Sequence, residues 1–170
     1  MADEVYPHLL TAENTEKIIS QYDFVIDASG NFETKFLIND DRVLLKKMFS
    51  HAGIIRFEGQ VMTYVPGKNP CCRCIFEEIP EQGTILNCSQ AGIIGAVAGI
   101  IGSIQALESI KYLLKIGELL TGKMLIFDGL LMKARIAEFP MKNKRCSVCG
   151  DDSDIKNIKD NAERYTFSVC

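Results

Sequence analysis

Two Cys-x-x-Cys pairs that lie far apart constrain the fold of this chain more than any other feature. The first occupies residues 71–74 and the second residues 146–149. Because this spacing lets both thiolates of a pair point at one centre, two pairs together supply the four soft ligands of a tetrahedral zinc site. The sequence therefore predicts that Zn2+ fastens the C-terminal end of the chain to its middle, bound by Cys71, Cys74, Cys146 and Cys149.

Other interpretations of these cysteines stay open at this point. Cys72 lies inside the first pair, too close to Cys74 for the usual geometry, so it is left out of the ligand set. The two pairs could instead be unrelated reduced thiols, or two redox disulfides. The chain has seven cysteines and no signal peptide, which indicates a reducing, cytoplasmic setting where cysteines more often bind metal or do chemistry than form disulfides.

Length, charge and hydropathy exclude several classes of protein. A chain of 170 residues is long enough for one domain with its own core. The net charge of -3 and the lack of a Lys- and Arg-rich run with interleaved aromatics argue against a nucleic-acid-binding protein. Residues 91–106 are apolar and glycine-rich, but Gln105, Glu108 and Lys111 follow too soon for a span of about 20 residues. We therefore expect a buried helix there and no membrane segment.

The first part of the chain has the pattern of an α/β unit. A short helix capped at Thr11 precedes an apolar run that predicts a buried strand over 22–28, and the turn at 29–31 leads into a helix over 32–48. In sheets built from such units, ligands gather at the carboxyl ends of the strands. The turn that follows Asp27 lies at such an end.

The remaining elements follow from apolar runs and their Gly and Pro boundaries. The stretch at 75–90 lacks periodicity and is expected to be a crossover loop or a functional lid. The other predicted elements are strands at 51–56, 60–65, 123–128 and 133–139, a long helix at 92–116 and a short helix near 155–163.

Three further motifs, together with the cysteine pairs, resemble the ThiF/MoeB/HesA family, the bacterial relatives of ubiquitin-activating enzymes. They are Arg-Phe-Glu-Gly-Gln-Val at 56–61, Asn-Cys-Ser-Gln-Ala-Gly-Ile-Ile-Gly at 87–95, and Gly-Ile-Ile-Gly-Ser-Ile-Gln-Ala-Leu-Glu at 99–108. The resemblance covers roughly residues 5–150 and is specific in combination. It implies an α/β, partial Rossmann-like (doubly wound) domain with a mixed sheet, the C-terminal half of the family fold, stapled by zinc. We assign this domain to 1–150, followed by a polar tail at 151–170.

The same resemblance implies a function and partners. Members of this family use ATP and Mg2+ to adenylate the C-terminal glycine of a ubiquitin-like sulfur carrier protein, for sulfur transfer in thiamine or molybdopterin synthesis. They also form homodimers. Small residues in the first half of the long helix allow another backbone to approach closely, so we expect this half to be crossed by the sheet or by a partner subunit. The surface around Gly95 and Gly99 is the one expected to be buried by a second copy. The strand at 22–28, without a first half of the sheet, is expected to have an unpaired edge.

Two departures from the family pattern bear on activity. The sequence has no G-x-G-x-x-G loop to hold the nucleotide phosphates. Family members typically read Asp-x-Thr-Asp-Asn at 27–31, whereas here Gly30 stands at the position associated with Mg2+ and only Asn31 is kept. A glycine supplies no oxygen ligand, so the implied cofactor-binding residues Gly30 and Asn31 form a degenerate site. Lys35 replaces the usual arginine, and Asp27 is expected to cap the turn rather than bind metal.

Three hypotheses follow for the whole chain. The first is an adenylyltransferase that is inactive alone. The second is a non-catalytic zinc-containing module for carrier binding and dimerisation. The third is a thiol redox protein. Cys88 matches the family cysteine that in some members bonds covalently to the carrier, and it is the one catalytic candidate. His8 and His51 have no partner at metal or triad spacing, and we interpret both as structural.

Overall fold

The structure, a computed structural model, describes residues 4–80, 88–139 and 142–166. Two longer helices, several short ones and loops flank a central sheet within these ranges. In chain order the elements are α1 (Thr15–Ile19), β1 (Phe24–Asp27), α2 (Phe32–Leu44), β2 (Met48–Ile55), β3 (Glu58–Tyr64), α3 (Cys72–Ile75), α4 (Cys88–Ala91), α5 (Gly95–Leu114), β4 (Lys123–Asp128), β5 (Lys133–Glu138) and a 3-10 helix (Lys159–Tyr165).

The five strands form one mixed sheet in the order β1-β2-β3-β4-β5. β1 and β2 are parallel and are joined by the crossover helix α2, which places Asp27 beside His51 in the register. The other neighbours pair antiparallel. The predicted α/β fold with a mixed sheet is therefore confirmed. Among the described residues only β2 pairs with β1, so β1 forms an edge of the sheet, as the sequence predicted.

Several predicted boundaries were wrong because the helix ends are not marked by glycine or proline. α2 ends at Leu44 instead of residue 48, since Lys46 turns left-handed at φ 53° and the Lys47 N–H donates to the Arg42 carbonyl at 2.9 Å. This early stop lets β2 begin at Met48 rather than residue 51. Thr11 does not cap α1, which starts after Asn14. The helix predicted near 155–163 is the 3-10 helix at 159–165.

The two faces of the sheet carry different layers because side chains alternate along each strand. One face packs against α5 through an apolar cluster of Ala52, Val61, Val97, Ile101 and Phe127. Gly59 lies under this helix, where an added Cβ would come within 2.4 Å of Ile101 Cγ1. The other face carries α2 and both cysteine pairs. We call these two surfaces the helix face and the cysteine face.

The prediction that the long helix is buried was only partly right. Among the described residues, α5 has the length and hydropathy to cross a membrane. Only 22% of its apolar stretch is buried against the rest of the chain. Its buried residues are Val97, Ile101, Gln105 and Glu108. The last two are polar and bind the sheet: Gln105 donates to the Asp27 and Ser50 carbonyls, and Glu108 accepts from Thr63 Oγ1 at 2.6 Å. These polar contacts fix α5 on the domain.

The outer face of α5 is apolar and open. The structure describes every exposed residue of this helix, and none of them carries a charge. Leu107 and Leu113 are 54% and 61% exposed. A Cβ added at Gly95, Gly99 or Gly102 would meet no atom within 4 Å. The small residues are therefore not crossed by the sheet, and the expectation that a partner covers them stays a prediction.

We expect the Asp41 carboxyl to make stability fall as pH rises from about 4 to about 6. Asp41 is buried in α2 and accepts a hydrogen bond from Thr15 Oγ1 at 3.0 Å, and burial raises its pKa to about 6. Below the unfolded-state pKa of about 4 both states keep the proton. Above this pH, Asp41 loses its proton in the unfolded chain but keeps it in the folded one, so unfolding becomes more favourable. This trend ends when the pH is high enough for Asp41 to ionise in the folded chain as well.

Urea unfolding of the wild type and Asp41→Asn at pH 4, 5, 6 and 7 tests this expectation. The asparagine keeps an oxygen for Thr15 and cannot ionise, so its stability relative to the wild type should rise across this range. A difference between the two proteins that does not change with pH would show that Asp41 is not the responsible group.

Candidate metal centre and ligand cavity

The four cysteines predicted as ligands meet at one point on the cysteine face. Their Sγ atoms all lie within 4.8 Å of one another. The Sγ atoms of Cys71 and Cys146 are 3.6 Å apart, those of Cys74 and Cys149 are 3.3 Å apart, and those of Cys71 and Cys74 are 3.9 Å apart. A tetrahedral site with Zn–S bonds of about 2.3 Å has sulfurs about 3.8 Å apart, whereas a disulfide needs about 2.05 Å. The cluster could therefore hold a metal ion such as zinc.

Tight backbone turns aim each pair of thiols at this point. In the first pair the Cys74 N–H donates to the Cys71 carbonyl at 3.0 Å. In the second, the Gly150 N–H donates to the Cys146 carbonyl at 2.9 Å. A Cβ at Gly150 would lie 2.4 Å from that carbonyl oxygen and 2.6 Å from the oxygen of Lys144. Only glycine fits this turn, because both neighbours are backbone atoms that a side chain cannot displace.

The sulfur cluster is also part of the hydrophobic core. Cys71 and Cys146 pack with Phe49, Val148 and Ile155, which brings the C-terminal segment against the sheet. The hydrogen bond with Cys146 raises the pKa of Cys71. The hydrogen bond with Cys149 lowers the pKa of Cys146. One thiol thus stabilises another as a thiolate, the form in which cysteine binds metal.

Cys72 does not belong to the sulfur cluster although it lies between two of its members. Its side chain is buried and lines a separate cavity. Its backbone N–H donates to Asn39 Oδ1 at 2.9 Å, which ties the first cysteine pair to α2. The predicted exclusion of Cys72 agrees with this arrangement.

A cavity of about 390 Å³ opens on the cysteine face at the carboxyl end of β1. Its walls come from the start of α2, from β2, β3 and β4, and from the segment around α3. Its lining includes Gly30, Asn31, Lys35, His51, Gly53, Glu58, Gln60, Cys72, Phe76, Glu78 and Pro80. The cavity is therefore lined by both residues predicted for cofactor binding, and Cys72, which lies between the cysteines of the first pair, forms part of its wall.

Asn31 and Gly30 play different parts in this wall. The Asn31 side chain caps α2, since its Oδ1 accepts from the Thr34 N–H at 2.7 Å. At Gly30 an added Cβ would meet no atom within 4 Å. There is therefore space for a Cβ at this position, and packing against that atom does not require glycine here.

Asp27 is fully engaged by neighbouring donors. Its Oδ1 accepts from the Ser29 N–H at 2.9 Å and from the Ser29 hydroxyl at 2.5 Å. Its Oδ2 accepts from Lys35 Nζ at 3.0 Å and contacts His51 Nδ1 at 2.9 Å. Burial raises the pKa of Asp27, but His51, Lys35 and Ser29 outweigh it and hold this pKa well below its ordinary value. This ionised carboxylate shapes the turn, in line with the capping role expected for Asp27.

The sequence interpretation missed the contact between Asp27 and His51. The two residues are 24 positions apart, and parallel pairing of β1 and β2 brings them together. The expectation that His51 has no partner was therefore wrong. The sequence held one indication of this contact, which is that both residues lie on predicted strands that follow one another along the chain. His8 is exposed.

Cys88 stays a candidate only. The structure places its backbone at the start of α4, but its side chain, like residues 81–87 of the expected loop or lid, lies outside the described residues.

A second buried charged group lies beside the first cysteine pair. Arg73 Nε donates to both oxygens of Asp40, at 2.9 and 2.8 Å, and the Tyr165 hydroxyl donates to Asp40 Oδ2 at 2.8 Å. The Arg73 guanidinium also lies 4.7 Å from the centre of the Phe36 ring. Burial lowers the pKa of Arg73, but the Asp40 carboxylate outweighs it and leaves this pKa raised. The network links α2, the first cysteine pair and the C-terminal 3-10 helix.

The mixed sheet, the cavity at the carboxyl end of β1 and the paired cysteines define a half-domain of the doubly wound α/β class with a four-sulfur site. The profile of the ThiF family matches residues 3–148, and the chain belongs to this family.

Several relatives are similar over most of this chain. It is 40% identical over 162 residues to the "Sulfur carrier protein adenylyltransferase" of Thermus thermophilus, covering 92% of this chain and 59% of that protein. It is 39% identical over 156 residues to "Adenylyltransferase and sulfurtransferase MOCS3" of Dictyostelium discoideum, covering 91% of this chain and 37% of that protein. The chain thus spans between about a third and three fifths of these relatives.

Solved structures confirm the fold. MccB of E. coli superposes with a TM-score of 0.64 at 20% identity, over 82% of this chain and 44% of MccB. A structure of MccB with ATP gives a TM-score of 0.62 at 19% identity, over 81% of this chain and 43% of MccB.

Proposed function

We propose that this chain serves the ATP-dependent adenylation of the C-terminal glycine of a ubiquitin-like sulfur carrier protein, in the cytoplasm, for thiamine or molybdopterin synthesis. The observation that supports this most is the cavity at the carboxyl end of β1, where ligands bind in doubly wound sheets. In this reaction the glycine carboxylate attacks the α-phosphorus of ATP. The acyl adenylate forms and pyrophosphate leaves.

The cavity suits the end of an extended glycine-terminated chain. Gly30 lines it without a side chain, and a Cβ added there would meet no atom within 4 Å, which leaves room close to the backbone after β1. Lys35 does not offer a free charge for phosphates, because its Nζ is bound to Asp27 at 3.0 Å and to the Ala52 carbonyl at 2.5 Å. We therefore assign the described cavity to the carrier end of the reaction and not to the triphosphate.

We further propose that the chain does not adenylate alone. The sequence has no G-x-G-x-x-G loop, and Gly30 replaces the acid associated with Mg2+ in the family. Neither oxygen of Asp27 is free to replace that acid, since each accepts two hydrogen bonds. The ATP and Mg2+ of the family reaction then need residues from outside this chain.

Titration calorimetry and pyrophosphate exchange test both statements. The purified chain should bind a carrier protein that ends in glycine, and a carrier that lacks this last residue should bind more weakly. The chain alone should show no exchange of labelled pyrophosphate into ATP. Failure to bind the carrier would disprove the proposed function, and exchange by the isolated chain would disprove only its dependence on other residues.

A non-catalytic module for carrier binding is the second candidate, favoured by the degenerate position at Gly30. It predicts carrier binding that ATP and Mg2+ leave unchanged, even when the part of a relative that this chain does not span is supplied in trans. A thiol redox function is less well supported, because the Sγ separations of 3.3 to 3.9 Å fit a shared metal. We propose Zn2+ as that metal, since it prefers an all-thiolate tetrahedral site.

We propose that the outer face of α5 pairs with a second copy of the chain. An uncharged helix face with exposed leucines is unfavourable in water and is buried in homodimer interfaces. The wild type should therefore sediment as a dimer at micromolar concentration, and Leu107→Glu as a monomer. Leu9→Glu, at an exposed apolar residue outside α5, serves as the matched control and should stay dimeric. A monomeric wild type would contradict this proposal.

A further inference from the structure

Among the described residues that line the cavity, His51 is the one histidine. Its side chain is 8% exposed and lies on the cysteine face of β2, between Asp27 on β1 and Met62 on β3. Glu58, Glu78 and Gln60 also line the cavity, from β3 and from the segment after α3. A buried ring in this position is fixed before a ligand arrives, which favours precise contacts.

The hydrogen bond to Asp27 sets the proton on the ring. The carboxylate can only accept, so His51 Nδ1, 2.9 Å from Asp27 Oδ2, carries the proton. Burial lowers the pKa of His51 and the neighbouring Lys35 charge lowers it further, against the opposing effect of Asp27. In the neutral ring the second nitrogen, Nε2, is then an acceptor.

We infer that His51 is a ligand-positioning residue whose Nε2 accepts a hydrogen bond from a backbone N–H of an extended peptide in the cavity. This inference rests on the proposed function, which places the carrier end there. An acceptor nitrogen favours ligand groups that donate, such as peptide N–H groups, and Glu58 and Glu78, which line the same cavity, are acceptors as well. Phosphate oxygens also accept, so they gain no hydrogen bond from this nitrogen. The contact therefore suits the peptide backbone of the carrier end.

Pentaglycine and its N-methylated analogue pentasarcosine are the probes for this inference. Both have the same terminal carboxylate, but the analogue has no internal N–H to donate. NMR titration should show that pentaglycine binds and shifts the 15N resonance of His51 Nε2, while Nδ1 keeps its proton. The analogue should leave the Nε2 resonance in place.

His51→Asn separates ligand binding from a merely structural role. The asparagine Nδ2 can replace the Nδ1 donor to Asp27, but nothing replaces Nε2. This variant should keep the melting temperature and bind pentaglycine about 2- to 12-fold more weakly, the loss expected for one neutral hydrogen bond. His51→Gln, whose longer amide reaches the Nε2 position with an oxygen, should recover part of that affinity.

The possible results distinguish a failure of the role inferred for His51 from a failure of the proposed function. Equal pentaglycine affinity in the wild type and His51→Asn, with an unmoved Nε2 resonance, would overturn the role of His51 and leave the proposed function intact. If the wild type binds neither pentaglycine nor a glycine-terminated carrier, both fail together.

Discussion

Cys146→Ser should release the metal and detach the C-terminal segment from the sheet. The sulfur of Cys146 is one of four that meet within 4.8 Å, and the residue is buried in the core cluster with Val148 and Ile155. Structural zinc sites contribute folding free energy directly. We expect a loss of at least about 4 kcal/mol, which lowers the melting temperature by roughly 8 to 16 °C for a chain of this size.

Metal analysis and thermal unfolding of the same samples check this result. The wild type should contain about one zinc per chain, and Cys146→Ser almost none. Cys72→Ser is the matched control, because Cys72 is a buried cysteine that lies between the two members of the first pair but outside the sulfur cluster. It should keep its zinc. Zinc retained by Cys146→Ser, or lost by Cys72→Ser, would contradict the assignment of the ligands.

Chelation of the metal should also reshape the cavity. α3 carries Cys74 on one side and Cys72, which lines the cavity, on the other, and Phe76 follows directly. Without the metal this wall loses its attachment to the second cysteine pair and is held only by its contacts with α2, at Asn39 and Asp40. Carrier binding should therefore weaken on chelation and recover when zinc is added back.

Asp40→Ala should destabilise the chain by about 3 to 5 kcal/mol, because it leaves the Arg73 guanidinium buried without its partner. Asp40 is fully buried and accepts hydrogen bonds from Arg73, Tyr165 and Asn39. Three separate parts of the chain lose their common acceptor in this variant. Urea unfolding at pH 7 measures the effect.

An exposed ion pair of the same length provides the control. Arg164 Nη2 lies 2.8 Å from Asp154 Oδ2, as Arg73 Nε lies 2.8 Å from Asp40 Oδ2, but the side chains of Arg164 and Asp154 are 39% and 57% exposed. Asp154→Ala should cost less than about 1 kcal/mol because water replaces the lost partner. Similar losses in both variants would mean that burial does not decide the strength of the Asp40 contact.

The double variant Asp40→Ala/Arg73→Met tests the cause. If the unpaired charge is responsible, removing Arg73 as well should recover a substantial part of the stability lost in Asp40→Ala. Simple addition of the two single losses would instead point to lost packing around Phe36.

The sequence determined those features that depend on short-range spacing. Each Cys-x-x-Cys pair brings two thiols together within one turn, so the four members of the sulfur cluster were predictable. Alternating and continuous apolar runs predicted every strand of the sheet to within a few residues. The family motifs at 56–61 and 87–108 predicted the fold in the same way. These signals are local, because strand pleat and turn geometry are properties of neighbouring residues.

The tertiary structure alone decided the contacts between distant residues. Asp27 meets His51, and Asp40 meets Arg73 and Tyr165, only after β1 pairs with β2 and the C-terminal segment returns to α2. It also decided which side of α5 is covered. The helix combines apolar residues with Gln105 and Glu108, and hydropathy alone would place these two polar side chains in water. In the fold both face the sheet, while the leucines of the helix stay exposed. Long-range hydrogen bonds of this kind depend on chain topology, which no local spacing encodes.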